Sequence, residues 1–147
     1  MHKPDLIKQP PRSPRVRLGG FAILPRMLDK CRATIAGTNG DYHYNCPTDQ
    51  HFLNFTGVDA EALKKEVATG KGDWEILQWI HANARYKRTD AEIHSWSAYC
   101  DQRAPNNPDG RDYLNAEHKR IAPDRTDVVT WFDLLDLDDY VTYGGKA

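Results

Sequence analysis

Apolar residues recur at helical spacing along most of the chain, and no segment alternates strictly between apolar and polar positions. The clearest case is the segment LPRMLDKCRATIA, in which the apolar residues form one stripe. Pro25 suits the first turn of a helix, and Gly37 suits the position just after its end. We therefore predict a first helix over residues 24–35.

The charged residues of this first helix lie on the side opposite its apolar stripe. They are Arg26, Asp29, Lys30 and Arg32. An amphipathic helix normally turns such a side to solvent. We expect Arg26 and Lys30 to be exposed, either as an ordinary solvated face or as positive charge for an anionic ligand.

Cap residues and glycines bound the other predicted helices. These begin at Pro47 or Thr48, after Asp59, after Asp73, at a capping box formed by Thr89 and Glu92, near Asp109, and near Thr126. The predicted fold class is all-α: a single compact domain of six or seven short helices.

The segment WEILQWIHANA, residues 74–84, is apolar around much of its circumference. Trp74, Leu77, Ile80 and His81 share one broad face of the predicted helix. A helix with so little polar surface is expected at the centre of a domain, with Trp74 and His81 in its core.

Residues 1–20 contain four of the nine prolines and end in two glycines. This composition predicts an extended arm, either disordered or laid over the body, and leaves residues 21–147 as the helical domain. The arm carries five basic residues and one acidic residue, whereas residues 124–147 carry six acidic and two basic residues. Opposite ends could attract each other, so a structural homo-oligomer is one alternative function. In the acidic segment the predicted apolar stripe is Val128, Trp131, Phe132 and Leu135.

Composition excludes several classes of protein. The net charge of −1 favours no nucleic-acid partner, and no apolar run is long enough for a membrane span. The N-terminus does not resemble a secretory signal, and three cysteines without a CxxC pair do not form a disulfide framework. We expect a soluble protein of a bacterial-type cytoplasm.

The sequence DYHYNCPTDQH, residues 41–51, concentrates polar and nucleophilic side chains in one predicted loop. No complete catalytic set accompanies it, so the leading hypothesis is a non-catalytic module that binds a small molecule or a protein. The predicted contacts are Tyr42, His43, Tyr44, Asn45, Asp49 and Gln50, with Arg26 and Lys30 as positive charges.

Three alternatives remain open for this loop. Cys46 precedes a helix start, where a thiol can be activated, and His43 could act as its base. His43, Cys46 and His51 could instead bind a metal ion such as zinc, with a fourth ligand from elsewhere. The third alternative is structural, with the loop's side chains anchoring it by hydrogen bonds. Whether the protein is an enzyme stays undecided, and no cofactor is predicted beyond that zinc alternative.

The motifs LPRMLDKCRATIAGTNG, DYHYNCPTDQHFLNFTGVDAEAL and KGDWEILQWI resemble a family of small bacterial proteins, domain-of-unknown-function family 5069. The resemblance is strongest over residues 12–84. It implies no activity, cofactor or catalytic residue. Members of that family often carry alanine where this chain has Cys31, which implies that Cys31 packs in the core and that Cys46 is the cysteine to test.

Overall fold

The computed structural model describes residues 1–147 and contains seven helices and no strands. The all-α prediction is confirmed. The helices are α1 (Leu24–Ala36), α2 (Pro47–Thr56), α3 (Ala60–Val67), α4 (Asp73–Asn83), α5 (Asp90–Gln102), α6 (Pro108–Ile121) and α7 (Trp131–Thr142). None of them combines the length and the apolar character needed to cross a membrane.

Local capping chemistry sets most helix ends. Gly37 ends α1 in the left-handed conformation, with φ of 73°. Thr89 and Glu92 form the predicted capping box of α5, each side chain accepting from the other's backbone N–H at 3.1 Å. Two predicted starts are wrong. Gly72, not Asp73, is the N-cap of α4, and α7 begins after Thr130, later than residue 126.

The chain forms two compact units, residues 1–97 and 98–147. In the first unit α1 contacts α2 and α3, and α3 contacts α4. Every residue from Phe21 to Ala33 is buried, so α1 is the central helix of this unit. The Phe21 ring meets the Phe52 ring edge to face, with centroids 5.2 Å apart. The prediction of one domain over residues 21–147 stays a prediction.

The N-terminal arm is laid over the first unit. Leu6 is 1% exposed, and its N–H donates to the carbonyl of Thr38 at 2.9 Å. The Thr38 hydroxyl donates in turn to the carbonyl of Pro4 at 2.8 Å. Further along, the carbonyl of Pro14 accepts from the N–H of Ile23 at 2.9 Å. The arm is therefore an ordered part of this unit.

Helix α4 is less central than its apolar composition predicts. Ile76, Leu77 and Ile80 are buried, but Trp74 is 67% exposed and His81 is exposed as well. The prediction that Trp74 and His81 belong to the core is wrong. Helix α3 contacts α4 in this unit, and Gly19 of the arm lies against Leu77 on its buried side.

The second unit is built on the contact between α6 and α7. Its buried core consists of Leu114, Ala122, Val128, Leu134 and Leu137. The predicted stripe of α7 is shifted as a result: Leu134 and Leu137 are buried, whereas Leu135 is only partly covered. The later start of α7 accounts for this shift, because Val128 precedes the helix and does not set its phase.

Candidate functional site

Helix α1 buries its charged residues together with its apolar ones. Arg26, Asp29, Lys30 and Arg32 are each 5% exposed or less, so the prediction that Arg26 and Lys30 face solvent is wrong. Helices α2 and α3 contact α1, and several segments cover its charged side, including the start of α2. One of them is the 41–51 loop, where the ring centroid of Tyr42 lies 5.5 Å from the Arg26 guanidinium carbon.

Lys30 finds its partner in α2. Its Nζ donates to Oδ1 of Asp49 at 2.9 Å, and both side chains are almost completely buried. The second oxygen of Asp49 accepts from the backbone N–H of Asn45 at 2.9 Å and from that of Cys46 at 3.4 Å. This carboxylate therefore ties α1 to the start of α2 while satisfying N–H groups there.

Cys46 occupies the N-cap of α2, next to this ion pair. The Nζ of Lys30 also donates to its Sγ, at 3.1 Å. Lys30, Cys46 and Asp49 together are called the lysine–cysteine cluster below. The thiol hypothesis paired Cys46 with His43, but the side chain that contacts the sulfur is Lys30, and His43 is exposed.

Other polar side chains of the 41–51 loop form hydrogen bonds to residues of the same chain. The Tyr44 hydroxyl donates to a carbonyl of α3 at 2.7 Å, and its burial raises the pKa of this phenol. The Gln50 amide donates to the side chain of Asn45, whose backbone is left-handed with φ of 64°. These bonds anchor the loop and reduce the number of groups that it can offer to a partner.

His43, Cys46 and His51 do not form a ligand set in the structure. No group of three or more histidine, cysteine, aspartate or glutamate side chains is placed to hold a metal ion. The metal hypothesis for this loop therefore gains no support from the geometry, since zinc needs at least three protein ligands in a catalytic site and four in a structural one.

A cavity of about 610 Å³ lies beside the arm, α1 and the loop that precedes α4. Its charged lining consists of Arg12, Asp29, Arg32, Lys71 and Asp73. This volume falls within the usual range of small-molecule sites, about 300–1,000 Å³. None of the predicted loop residues lines this cavity.

Two arginines and two aspartates form a continuous network in the cavity wall. Arg12 binds Asp29 through Nε and Nη2, both at 2.9 Å, and reaches Asp73 through Nη1 at 2.7 Å. Arg32 donates to the other oxygen of Asp73, also at 2.7 Å. Partial burial opposes the charge of Arg12, but its bonds to Asp29 and Asp73 outweigh that effect and raise the pKa of the guanidinium.

A comparison with models of protein families matches residues 8–141 to a domain of unknown function, DUF5069. The chain belongs to this family. The resemblance found in the sequence is thereby confirmed, and the matched range contains both the arginine network and the lysine–cysteine cluster. A comparison with curated proteins finds no match. Membership in DUF5069 assigns no activity, so function has to be argued from the sites.

Sequence reasoning missed the cavity of this DUF5069 domain. The sequence pattern places Arg12 in an extended arm and Arg32 on a solvated helix face, and it predicts Asp73 as a helix cap. One local signal was available. Lys71 stands between two glycines just before a helix, and such a loop brings the backbone and a lysine close to whatever binds there.

The other two cysteines of the DUF5069 domain are packing residues. Cys31 is fully buried, and desolvation raises the pKa of its thiol to about 12. Cys100 is 1% exposed. Because a buried protonated thiol is a poor nucleophile, Cys46 is the cysteine that remains a candidate nucleophile.

Proposed function

We propose that this DUF5069 domain is a non-catalytic binding module whose ligand is a small anion, carrying carboxylate or phosphate groups, held in the cavity beside the arm. The observation that carries the proposal is the cavity itself, about 610 Å³ in volume and lined by Arg12, Arg32 and Lys71. The guanidinium group of arginine and the ammonium group of lysine form strong, charge-assisted hydrogen bonds to carboxylates and phosphates.

The exposure of the charged groups favours an anion over a cation. The side chains of Arg12 and Lys71 are 36% and 42% exposed, whereas those of Asp29 and Asp73 are 7% and 28% exposed. Arg12 and Lys71 are thus the most exposed of these charged side chains, whereas Arg32 is 4% exposed and Lys71 is also paired with Glu66. Asp29 and Asp73 pair with the two arginines and hold them in place.

The site is also preorganised. Asp29 binds two nitrogens of Arg12, which fixes the plane of the guanidinium before any ligand arrives. Arg32 is held by Asp73 and by the carbonyl of Lys71, at 3.4 Å. Fixed donors lose little conformational entropy on binding, so even a small ligand can be held.

The test uses pyrophosphate and citrate as probes, with potassium chloride at equal ionic strength as the salt control. We expect both probes to raise the melting temperature of the whole chain, because a ligand that binds only the folded state stabilises it. Lys71→Gln should weaken the shift. Lys65→Gln, which removes an exposed lysine outside the cavity, should leave it unchanged.

Two results would contradict the proposal. One is the absence of any shift beyond that of potassium chloride. The other is an equal loss in the Lys71→Gln and Lys65→Gln variants, which would mean that the anions respond only to overall charge.

A thiol enzyme centred on Cys46 is the second candidate. It is favoured by the short contact between Lys30 Nζ and Cys46 Sγ, 3.1 Å. The test is the rate of iodoacetamide alkylation at about pH 7. If Cys46 in the folded protein reacts no faster than a free thiol in solution, this candidate is withdrawn.

A cytoplasmic, bacterial setting is part of the proposal. It is supported by the three cysteines, none of which forms a disulfide, as expected in a compartment that keeps thiols reduced. Anion binding in the cavity beside the arm does not depend on the cellular compartment.

A further inference from the structure

The lysine–cysteine cluster has no part in the proposed anion site, yet it places a nucleophilic sulfur and an amine in direct contact. Lys30 is 3% exposed and Asp49 is 0% exposed, while Cys46 is half-buried. Cys46 is thus the residue of the cluster that is in part open to solvent, from which a small oxidant would approach the sulfur. Behind it lies a buried ion pair whose amine nitrogen is 3.1 Å from the sulfur.

We propose that Cys46 and Lys30 form a covalent sulfur–nitrogen link when the protein is exposed to hydrogen peroxide. In the first step the sulfur of Cys46 attacks one peroxide oxygen. The O–O bond breaks, the sulfur is oxidised by two electrons to a sulfenic acid, and the peroxide is reduced and leaves as water.

In the second step the nitrogen of Lys30 attacks the oxidised sulfur. Its ammonium first gives a proton to Asp49, whose Oδ1 is 2.9 Å away. The S–N bond then forms as the S–O bond breaks, and the hydroxide leaves as water with a second proton from the nitrogen. One thiol, one ammonium and one peroxide thus give one sulfenamide, two waters and one proton held by Asp49.

The geometry meets the demands of the second step. A separation of 3.1 Å between Nζ and Sγ lies within the range of about 3–3.5 Å from which bonds form in well-oriented pairs. The proton acceptor is fixed as well, because backbone N–H groups of Asn45 and Cys46 hold the Asp49 carboxylate. Burial of Lys30 keeps bulk water away from the nitrogen side of the sulfur.

The link would change the charge state of the protein interior. It converts the ammonium of Lys30 into the uncharged nitrogen of a sulfenamide and leaves Asp49 protonated. A buried ion pair thus becomes a neutral pair. A thiol reductant restores both side chains by attacking the sulfur, which makes the change reversible.

The experiment treats the whole folded chain with hydrogen peroxide and digests it without reduction. Mass spectrometry should find the peptides of Lys30 and Cys46 joined, with a mass lower by two hydrogen atoms, and dithiothreitol should separate them. Two results would overturn the proposal. One is Cys46 oxidised to sulfinic acid with Lys30 unmodified. The other is a joined product that retains the oxygen, because water then never left.

Matched variants identify the two atoms. Cys31→Ala with Cys100→Ala should leave the link intact, and Cys46→Ser should abolish it. Lys30→Arg keeps the charge but removes the amine, so Cys46 should then stop at the sulfenic acid and react with dimedone. In the unmutated chain, dimedone added together with peroxide should label Cys46 and lower the yield of the link. If dimedone neither labels Cys46 nor lowers the yield of the link in the unmutated chain, the proposal is overturned. This test does not depend on whether the Lys30→Arg variant folds.

Discussion

Asp73 joins two arginines that come from distant parts of the chain. One of its oxygens accepts from Arg12 and the other from Arg32, both at 2.7 Å. Partial burial opposes ionisation of this carboxyl, but the two arginines outweigh it and lower its pKa below the ordinary value of 3.8. Because the folded state holds the proton less tightly than the unfolded chain does, Asp73 stabilises the fold only while it is ionised.

Asp73→Asn should lower the free energy of unfolding by about 1.5–3 kcal/mol at pH near 7, the usual range for hydrogen bonds to charged groups. The contribution is present above pH about 4 and is lost as pH falls through the lowered pKa of the folded state. Urea denaturation of both proteins at several pH values should show the difference shrinking in acid. A difference that is the same at every pH would contradict this, and Asp41→Asn, at an exposed position, serves as control.

Among the helices, α2 ends against the loop that follows α4, and this loop donates hydrogen bonds to carbonyls in the last turn of α2. The N–H of Tyr86 donates to the carbonyl of Thr56, and Nε of Arg88 donates to that of Phe55, both at 3.0 Å. Gly57 ends α2 in the left-handed conformation, with φ of 69°, directly beneath this loop. A Cβ at Gly57 would lie 2.6 Å from Cβ of Arg85, so no side chain fits there.

Gly57→Ala and Gly37→Ala separate backbone strain from steric conflict. Both glycines are left-handed, but a Cβ at Gly37 meets nothing within 4 Å. Gly37→Ala should therefore cost only the strain, about 1–2 kcal/mol. Gly57→Ala should cost about 1–3 kcal/mol more, because the loop must move. If chemical denaturation shows the same loss in free energy of unfolding for both variants, the loop moves away from residue 57 without destabilising the fold.

At the scale of the whole molecule, each of the two compact units has its own buried side chains. The arm contributes to the first unit in two ways. Leu6 enters its core, and Arg12 supplies the guanidinium that bridges α1 and α4 through Asp29 and Asp73. The same segment thus supports the fold and forms one wall of the cavity.

Leu6→Ala tests whether the arm belongs to the cooperative unit. Its side chain is 1% exposed, so truncation should lower the free energy of unfolding by about 2–5 kcal/mol. Ile7→Ala is the matched control, since Ile7 is 66% exposed and should change stability by no more than about 0.5 kcal/mol. If the two variants melt alike, the arm is not part of the cooperative fold.

The fold class and most helix ends could be predicted from the amino-acid pattern, because they depend on residues within a few positions of each other. The capping box of Thr89 and Glu92, the left-handed Gly37 and the apolar stripe of α1 are all of this kind. The confirmed family resemblance rests on the same local motifs.

The partners of the charged residues on α1 could not be predicted, because they lie far away along the chain. Arg32 and Asp73 are 41 residues apart, and Lys30 and Asp49 are 19 apart. Helical periodicity shows that a residue lies opposite an apolar stripe, but not whether another segment covers it. The arm and the start of α2 do cover that side, and burial then forces each charge to pair. The cavity and the lysine–cysteine cluster both follow from those pairings.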